Sequence, residues 1–438
     1  MSLRDHLNTL RKHGQLVTVH KPISKHLALA GLLKALEPAP VLCTRVIESE
    51  FPVIGNVVSD KHTLAGYLKV PVEALIPTLS QAIEGHTPPK VTSQAPCQEV
   101  IRANPDLDDL PIPFHCQGDG GNYISSGVMV AGHPRFGQNL DFHRCMQFSK
   151  TELAVRVVKG RNFDAFLQDQ GQVDVAICIG VAPNLLVAAA TSVEIGLNEL
   201  EIANALAPFE VIKARTSDLL IPADAEFVIE GTVYRDRRHA EGPFVDLTET
   251  QDVIRQEPVM EVKCITHRKD ALWHALLPGG LEHKLLMGMP REPTIFRAVN
   301  QVVECLDVHI NPGGCSWLHA IVKIRKTHAD DGRKAIEAAH TGHSSCKHIF
   351  VVDEDIDIYD PLSVEWALAT RFQADRDLVM LGRERGSSLD PSAEPGTYET
   401  CKVGFDLTAP IDTSGKPFAK VPFPQVDMDW YLDNKGEW

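Results

Sequence analysis

The stretch from residue 114 to residue 300 constrains this chain most, because it never holds a helical period for long. Short apolar and β-branched runs recur there between Gly and Pro: Val173 to Gly180, Glu210 to Lys213, Glu226 to Val233 and Val259 to Thr266. Many short strands with turn signals between them predict a barrel-like or sandwich β-domain. One helix, Asn198 to Leu206, is predicted among them. The flanks read differently. Upstream, Leu3, Leu7 and Leu10 at helical spacing predict a helix that stops at Gly14. A strand from Gln15, a helix from Leu27 to Leu36, short strands between Val41 and Val58 and a helix from Val72 to Ile83 follow. The proline-marked segment Asn104 to Pro113 closes this α+β unit. Downstream, a strand at Ala320 to Ile324, a helix at Asp331 to Ala339, a buried strand at His348 to Asp353, a helix at Ser363 to Arg371 and a strand from Leu378 make an α/β pattern. The expected domains are 1–113, 114–300 and 301–438, with a proline-punctuated tail after Pro410 that wraps a surface or a partner subunit. A chain of 438 residues is long enough for three such units.

Charge and cysteine usage exclude several classes of function. A formal net charge of -15 argues against non-specific nucleic-acid binding, which needs Lys and Arg to neutralise phosphates. It leaves room for a local cationic pocket that binds a small anion. The ten cysteines are scattered, without a Cys-x-x-Cys pair, as suits reduced thiols in a cytoplasmic protein. The first residues lack the apolar core of a signal peptide. The longest apolar run, Val175 to Ala190, is broken at Pro183-Asn184 and is too short to span a bilayer.

Two segments concentrate reactive side chains. Asn139-Leu-Asp-Phe-His-Arg144 holds an amide, a carboxylate, an imidazole and a guanidinium within six residues. On an ideal strand Asn139, Asp141 and His143 share one face and Arg144 lies on the other, so a bulge or different targets must reconcile them. An amphipathic strand with a solvated face accounts for the same residues. Glu241-Gly-Pro-Phe-Val-Asp246 brings two carboxylates together around a Gly-Pro turn, a candidate acid/base pair if buried; a solvated polar turn is the plainer reading. His340-Thr-Gly-His343, with Cys346 and His348, has metal-like spacing but reads as a helix-end loop. Pro312-Gly-Gly lacks the Lys-Ser/Thr of a phosphate loop and reads as a turn.

Taken in order, these segments resemble the UbiD-type decarboxylases. Members carry an Asn-x-x-x-x-Arg segment, a Glu-Gly-Pro-Phe-x-Glu turn and a Lys before a Gly-x-Asp-x-Thr run. This chain has Asn139 with Arg144, Glu241 to Asp246, and Lys402-Val-Gly-Phe-Asp-Leu-Thr408. Asn198-Glu199-Leu-Glu-Ile-Ala, the block from Leu220 to Gly231, Val351 to Asp357 and Leu389-Asp-Pro-Ser392 match further family blocks. The resemblance implies a multidomain α+β and α/β fold: an N-terminal α+β domain, a flavin-reductase-like split β-barrel and a C-terminal α/β oligomerisation domain.

It also implies reversible, non-oxidative decarboxylation of an α,β-unsaturated or (hetero)aromatic carboxylic acid. The cofactor is prenylated FMN, supplied by a flavin prenyltransferase, with Mn2+ or Mg2+ and a neighbouring K+. Asn139 and Glu199 fall on the metal-ligand positions, Lys402 on the phosphate-contacting lysine, and Arg144, Glu241 and Asp246 on the catalytic network. Arg161 is placed as a phosphate contact despite a poor local match. His283 and Arg291 lie where members contact substrate, although an amphipathic helix ending at Pro290 explains that segment equally. Asp246 departs from the commoner Glu and is one methylene shorter. A homodimer or higher homo-oligomer is expected, with no membrane or nucleic-acid partner. The alternatives are an FMN-dependent reductase on the same barrel and a non-catalytic flavin-binding homologue.

Overall fold

In the computed structural model, which describes residues 1–411, 418 and 420–431, the chain opens on α1 (Leu3–Lys12), whose first turn is closed by a reciprocal Ser2–Asp5 cap. Then come β1 (Val17–Val19), α2 (Ala28–Leu36), β2 (Val41–Cys43), β3 (Val53–Gly55), α3 (Lys61–Leu68) and α4 (Leu75–Glu84). The predicted helix from Val72 begins as a 3-10 turn and becomes α4 only at Leu75. α3, capped by Asp60, escaped the sequence reading because its apolar stripe is weak.

The middle of the chain holds β4 (Lys90–Val91), β5 (Val100–Arg102), β6 (Asn122–Ile124), β7 (Val128–His133), β8 (Gly137–Phe142), β9 (Cys145–Gln147), β10 (Glu152–Val155), α5 (Asn162–Gln170), β11 (Gln172–Ile179), α6 (Pro183–Ala190), α7 (Glu199–Leu206), β12 (Glu210–Lys213), β13 (Leu220–Pro222) and β14 (Phe227–Glu241). β15 (Phe244–Val245), β16 (Gln251–Asp252), β17 (Arg255–His267) and β18 (Trp273–His274) complete it. The apolar run that looked broken at Pro183 is the end of β11 followed by α6. Pro183 sits in the first turn of that helix, where its missing N–H costs nothing.

Nine strands form the main sheet, ordered β6-β9-β10-β17-β14-β11-β7-β8, with β5 paired to β17. β8 and β9 are consecutive in sequence yet lie towards opposite ends of that order. Only His143 and Arg144 join them, so the sheet curls back on itself across a seam without ladder hydrogen bonds. This is the expected split barrel. It also settles the parity of Asn139 and Arg144: β8 ends at Phe142, so the two residues belong to different local frames and face different parts of the site.

The last part runs through α8 (Leu281–Gly288), α9 (Glu292–Asn300), β19 (Cys305–His309), β20 (His319–Ile324), α10 (Asp331–Gly342), β21 (His348–Val352), α11 (Pro361–Arg371), β22 (Leu378–Arg385) and β23 (Glu399–Asp406). Its sheet is ordered β19-β20-β21-β23-β22. One hydrophobic core joins Leu3, Leu7 and Leu10 of α1 to Val128, Val130 and Leu140 of the barrel and Leu286 of α8, which fixes α1, the barrel wall and α8 to one another. A second core fills the barrel around Phe163, Phe166 and Ile177. The tail after Pro410 lies partly outside the described residues. Where it is described, Phe423 and Trp430 are exposed. Among the described residues no helix is long and apolar enough to cross a membrane.

Candidate active site

Arg144 leaves the seam between β8 and β9 and meets three carboxylates. Its Nε donates to Glu241 Oε1 at 2.9 Å and its Nη2 to Glu241 Oε2 at 3.1 Å. Nη1 donates to Asp246 Oδ2 at 2.5 Å and Nη2 to Asp252 Oδ2 at 2.9 Å. The guanidinium lies 4.6 Å from the centroid of the Phe244 ring, a favourable seat for a desolvated cation. Burial works against the Arg144 charge, but Glu241, Asp246 and Asp252 outweigh it and hold it firmly cationic. Of the five N–H groups of a guanidinium, these contacts use four. One Nη1 hydrogen is left for a further acceptor among the described contacts.

The Gly-Pro turn makes this cluster possible. Gly242 takes φ +101°, a conformation that favours glycine. Residues 113–124 press against the turn so closely that a Cβ on Gly120 would sit 2.1 Å from Gly242 O. From that segment Tyr123 donates to Glu241 Oε1 at 3.1 Å. The two acids are not equivalent. The Glu241 side chain is 0% exposed and gripped by two guanidinium nitrogens, whereas that of Asp246 is 17% exposed. Glu241 is thus the enclosed member of the pair and Asp246 the more accessible one. His283, on α8, is half-buried nearby; desolvation pushes its pKa down, with Asp246 acting in the opposite sense.

Asp252 is a residue the sequence reading missed. The short hairpin of β15 and β16 pairs Phe244 with Asp252 and so returns a third acid to Arg144. Asp252 also accepts from Arg255 Nη1 at 2.5 Å. Burial opposes its charge, but Arg255 and Arg144 outweigh that and lower its pKa. The available signal was Gln251-Asp252 lying just past a tight turn and opposite Phe244-Val245.

Asn139 and Glu199 come together away from this cluster. Asn139, on β8, is 3% exposed and its Nδ2 has no partner. Glu199 opens α7, and its Oε2 accepts from Leu140 N at 2.7 Å. Burial raises its pKa to about 8. A buried carboxylate with no cation among its described partners fits a hard divalent ion bound through oxygen, to which the Asn139 side chain would offer its Oδ1 and not the orphaned Nδ2. Among the described residues no three His, Cys, Asp or Glu side chains could hold a metal together. His143 does not join the pair: its Nε2 lies 2.9 Å from Asp141 Oδ1 and its Nδ1 contacts Arg156 O at 2.9 Å.

Arg161 and Arg291 converge on one hydroxyl, Ser192 Oγ, at 3.4 Å and 2.7 Å. Burial, and then the Arg161 charge, push the pKa of Arg291 down to about 10; its Nε is buried without a partner. Two crowded guanidiniums with an orphaned donor suit a bound anion such as phosphate. Lys402, on β23, donates to Ser344 O at 2.8 Å and Glu384 Oε2 at 3.2 Å. Both Arg291 and Lys402 act on His343, so they flank the same imidazole. His340 and His343 lie at the end of α10, and burial lowers the pKa of each, to about 4 and about 3.

The curled sheet thus carries a caged arginine, the buried side chains of Asn139 and Glu199, and the neighbouring guanidiniums of Arg161 and Arg291, a set of groups suited to anionic ligands. Comparison with known proteins makes the class specific. The N-terminal, Rift-related and C-terminal domain models of 3-octaprenyl-4-hydroxybenzoate carboxy-lyase match residues 7–83, 89–281 and 284–407. The chain belongs to the UbiD family of decarboxylases. It is 40% identical over 419 residues to the anhydromevalonate phosphate decarboxylase of Methanothermobacter thermautotrophicus, covering 93% of this chain and 98% of the relative. The UbiD-class enzyme HmfF from Pelotomaculum thermopropionicum, solved with FMN, superposes with a TM-score of 0.96 at 35% identity, covering 99% of this chain and 100% of that one. An evolved dimeric form of HmfF with prFMN gives a TM-score of 0.91 at 33% identity, covering 98% and 100%.

Proposed function

We propose that this enzyme removes CO2 from a small α,β-unsaturated acid with prenylated FMN bound in the barrel, and that a phosphorylated acid is the substrate. The observation that carries the reading is the Arg144 cage. It is buried and charged, and it keeps one N–H free beside the more accessible acid. Bound prenylated FMN would supply the electron sink that loss of CO2 from an sp2 carbon requires. The residues do the rest. Arg144 holds the substrate carboxylate by its free Nη1 hydrogen, Glu241 fixes the guanidinium, and Asp246 delivers the proton that replaces CO2. His283 would border the substrate.

Asn139 and Glu199 would hold Mn2+ or Mg2+, with K+ beside it, against the cofactor phosphate. Arg161, Arg291 and Lys402 supply positive charge for phosphate groups. Two supports favour a phosphorylated substrate over a furan or aromatic acid: the 40% identity to an anhydromevalonate phosphate decarboxylase, and the crowded pair Arg161 and Arg291, which suits a second phosphate as well as the first. We also infer a homo-oligomer in the cytoplasm; all ten cysteines are unpaired, as a reducing compartment requires.

Protein co-expressed with a flavin prenyltransferase should release CO2 from anhydromevalonate phosphate, and protein loaded with FMN alone should not. Oxidation of NAD(P)H without CO2 release would establish the reductase alternative. Bound flavin with no CO2 from phosphorylated, furan or aromatic acids would establish a non-catalytic homologue. A second expectation concerns the metal. Glu199→Ala should lower bound Mn2+ or Mg2+ and flavin together, read by metal analysis and absorbance; a variant retaining both in full refutes the ligand assignment.

A further inference from the structure

α8 begins without a cap of its own. Gly280 stands at its N-cap position, with no side chain to close the first turn. The acceptor comes instead from 244 positions earlier: Glu37, just after α2, takes Leu281 N on Oε1 at 2.6 Å. The Glu37 side chain is 8% exposed, and Lys34 Nζ holds its other oxygen at 3.0 Å. A carboxylate in this place satisfies an orphan amide and complements the positive end of the helix dipole. The fit is close, since a Cβ on Gly280 would sit 2.5 Å from Glu37 Oε1.

The same turn fixes an imidazole. Gly279 N donates to His283 Nδ1 at 3.0 Å. A ring nitrogen that accepts a hydrogen bond carries no proton, so the ring is neutral and its one hydrogen is on Nε2. Desolvation disfavours the imidazolium; Asp246 opposes this, and Arg144 and Lys284 add to it. Nε2 has no partner among the described residues. Both Asp246 oxygens already accept N–H donors, from Arg144 Nη1 and Leu247 N, and no hydrogen bond joins Asp246 to His283. The turn also abuts the loop that carries Asp246: a Cβ on Gly279 would lie 2.9 Å from Glu249 Cγ and 3.2 Å from Asp246 O.

We propose that Glu37 is a positioning residue for the active site: capping α8 from the N-terminal unit, it holds the Gly279 amide against His283 and so keeps an Nε2–H donor presented beside Arg144. The inference rests on the reading of Arg144 as the seat of the substrate carboxylate. That seat then has two unclaimed donors, Arg144 Nη1–H and His283 Nε2–H, for the two oxygens of a carboxylate.

The other carboxylates near the turn do not duplicate Glu37. Glu282, in the first turn of α8, accepts from Val58 N and lies 3.1 Å from His274 Nε2. Glu249 is paired with Lys284. Neither accepts from Gly279 N or Leu281 N, whose partners are His283 and Glu37. Glu37 therefore acts on the substrate only through the turn and the imidazole that the turn holds.

The test uses the prenylated-FMN enzyme labelled with 15N-histidine, the His283 signals being those absent from His283→Gln. In the parent, Nδ1 should be of imine type and Nε2 of pyrrole type, without change across the pH range in which a free imidazole titrates. A protonated Nδ1 in the parent overturns the proposal before any variant of Glu37 is made. Glu37→Gln keeps an acceptor for Leu281 N and should keep the tautomer. Glu37→Asp keeps the charge beside Lys34 but withdraws it by one methylene, and Glu37→Ala removes it. In both, the His283 signals should average between tautomers or titrate, and kcat/KM for CO2 release from anhydromevalonate phosphate should fall ~10–10²-fold. The parent tautomer in folded Glu37→Asp or Glu37→Ala overturns the positioning role. His283→Gln, whose amide can place an N–H where Nε2–H stood, should lose less activity than His283→Phe; equal losses overturn the donor role. No CO2 release by the parent overturns the functional reading, while the tautomer signals still decide the role of Glu37.

Discussion

Arg144→Gln is expected to reduce CO2 release by ~10³-fold or more, a loss comparable to removing one well-placed donor from a charge-stabilising site. The variant loses the only group in the cluster that reaches all three acids and the free N–H that would hold the substrate. It should also be less stable, by about 3–5 kcal/mol, because Glu241 has 0% of its side chain exposed and would be left buried without its cation. Arg144→Lys separates the two effects. It restores the charge and much of the stability, but an ammonium cannot span Glu241 bidentately while donating to Asp246 and Asp252. Turnover should then stay at least ~10²-fold below the parent, since small misplacements of a positioning group cost that much. Thermal melting and flavin absorbance monitor folding while CO2 release is measured. A kcat/KM of Arg144→Lys within a factor of about three of the parent would remove Arg144 from the mechanism.

Asp246→Asn should bind flavin normally, because the side chain is nearly isosteric and is more accessible than that of Glu241. Its turnover should fall by the ~10²–10⁴-fold typical of a lost general acid. Exchange of the product's vinylic hydrogen with D2O should fall in step, since one group moves that proton in both directions. Asp246→Glu extends the acid by one methylene into a pocket formed around aspartate; partial activity with a preference for smaller acids is expected. If Asp246→Asn exchanges and decarboxylates at the parent rate, the acid lies at Glu241 or His283.

The legible part of this protein was local. Glu241 to Asp246 could be read because turn and acids lie within six residues, and Leu3, Leu7 and Leu10 because they share one stripe of one helix. Asn139 and Glu199 could be paired only through family resemblance, since nothing in the spacing of 59 intervening positions says that α7 packs on β8. Asp252 and Arg255 stayed hidden because their importance comes from a two-residue hairpin, too short to show periodicity. Pro183 misled for the opposite reason: a residue that usually breaks helices began one. Arg161 and Arg291 were named separately, and only the packing shows that they share Ser192.

The seam joining β8 to β9 has a consequence for how activity is acquired during folding. Arg144 reaches Glu241, Asp246 and Asp252 across separations of 97, 102 and 108 residues. The chain must curl through β10, β11 and β14 before the first of these contacts can form. Contacts of such high sequence separation carry their loop-closure cost early and their reward late. A partly assembled barrel therefore holds an unpaired guanidinium and solvated acids but no cage, so binding competence and completion of the topology arrive together.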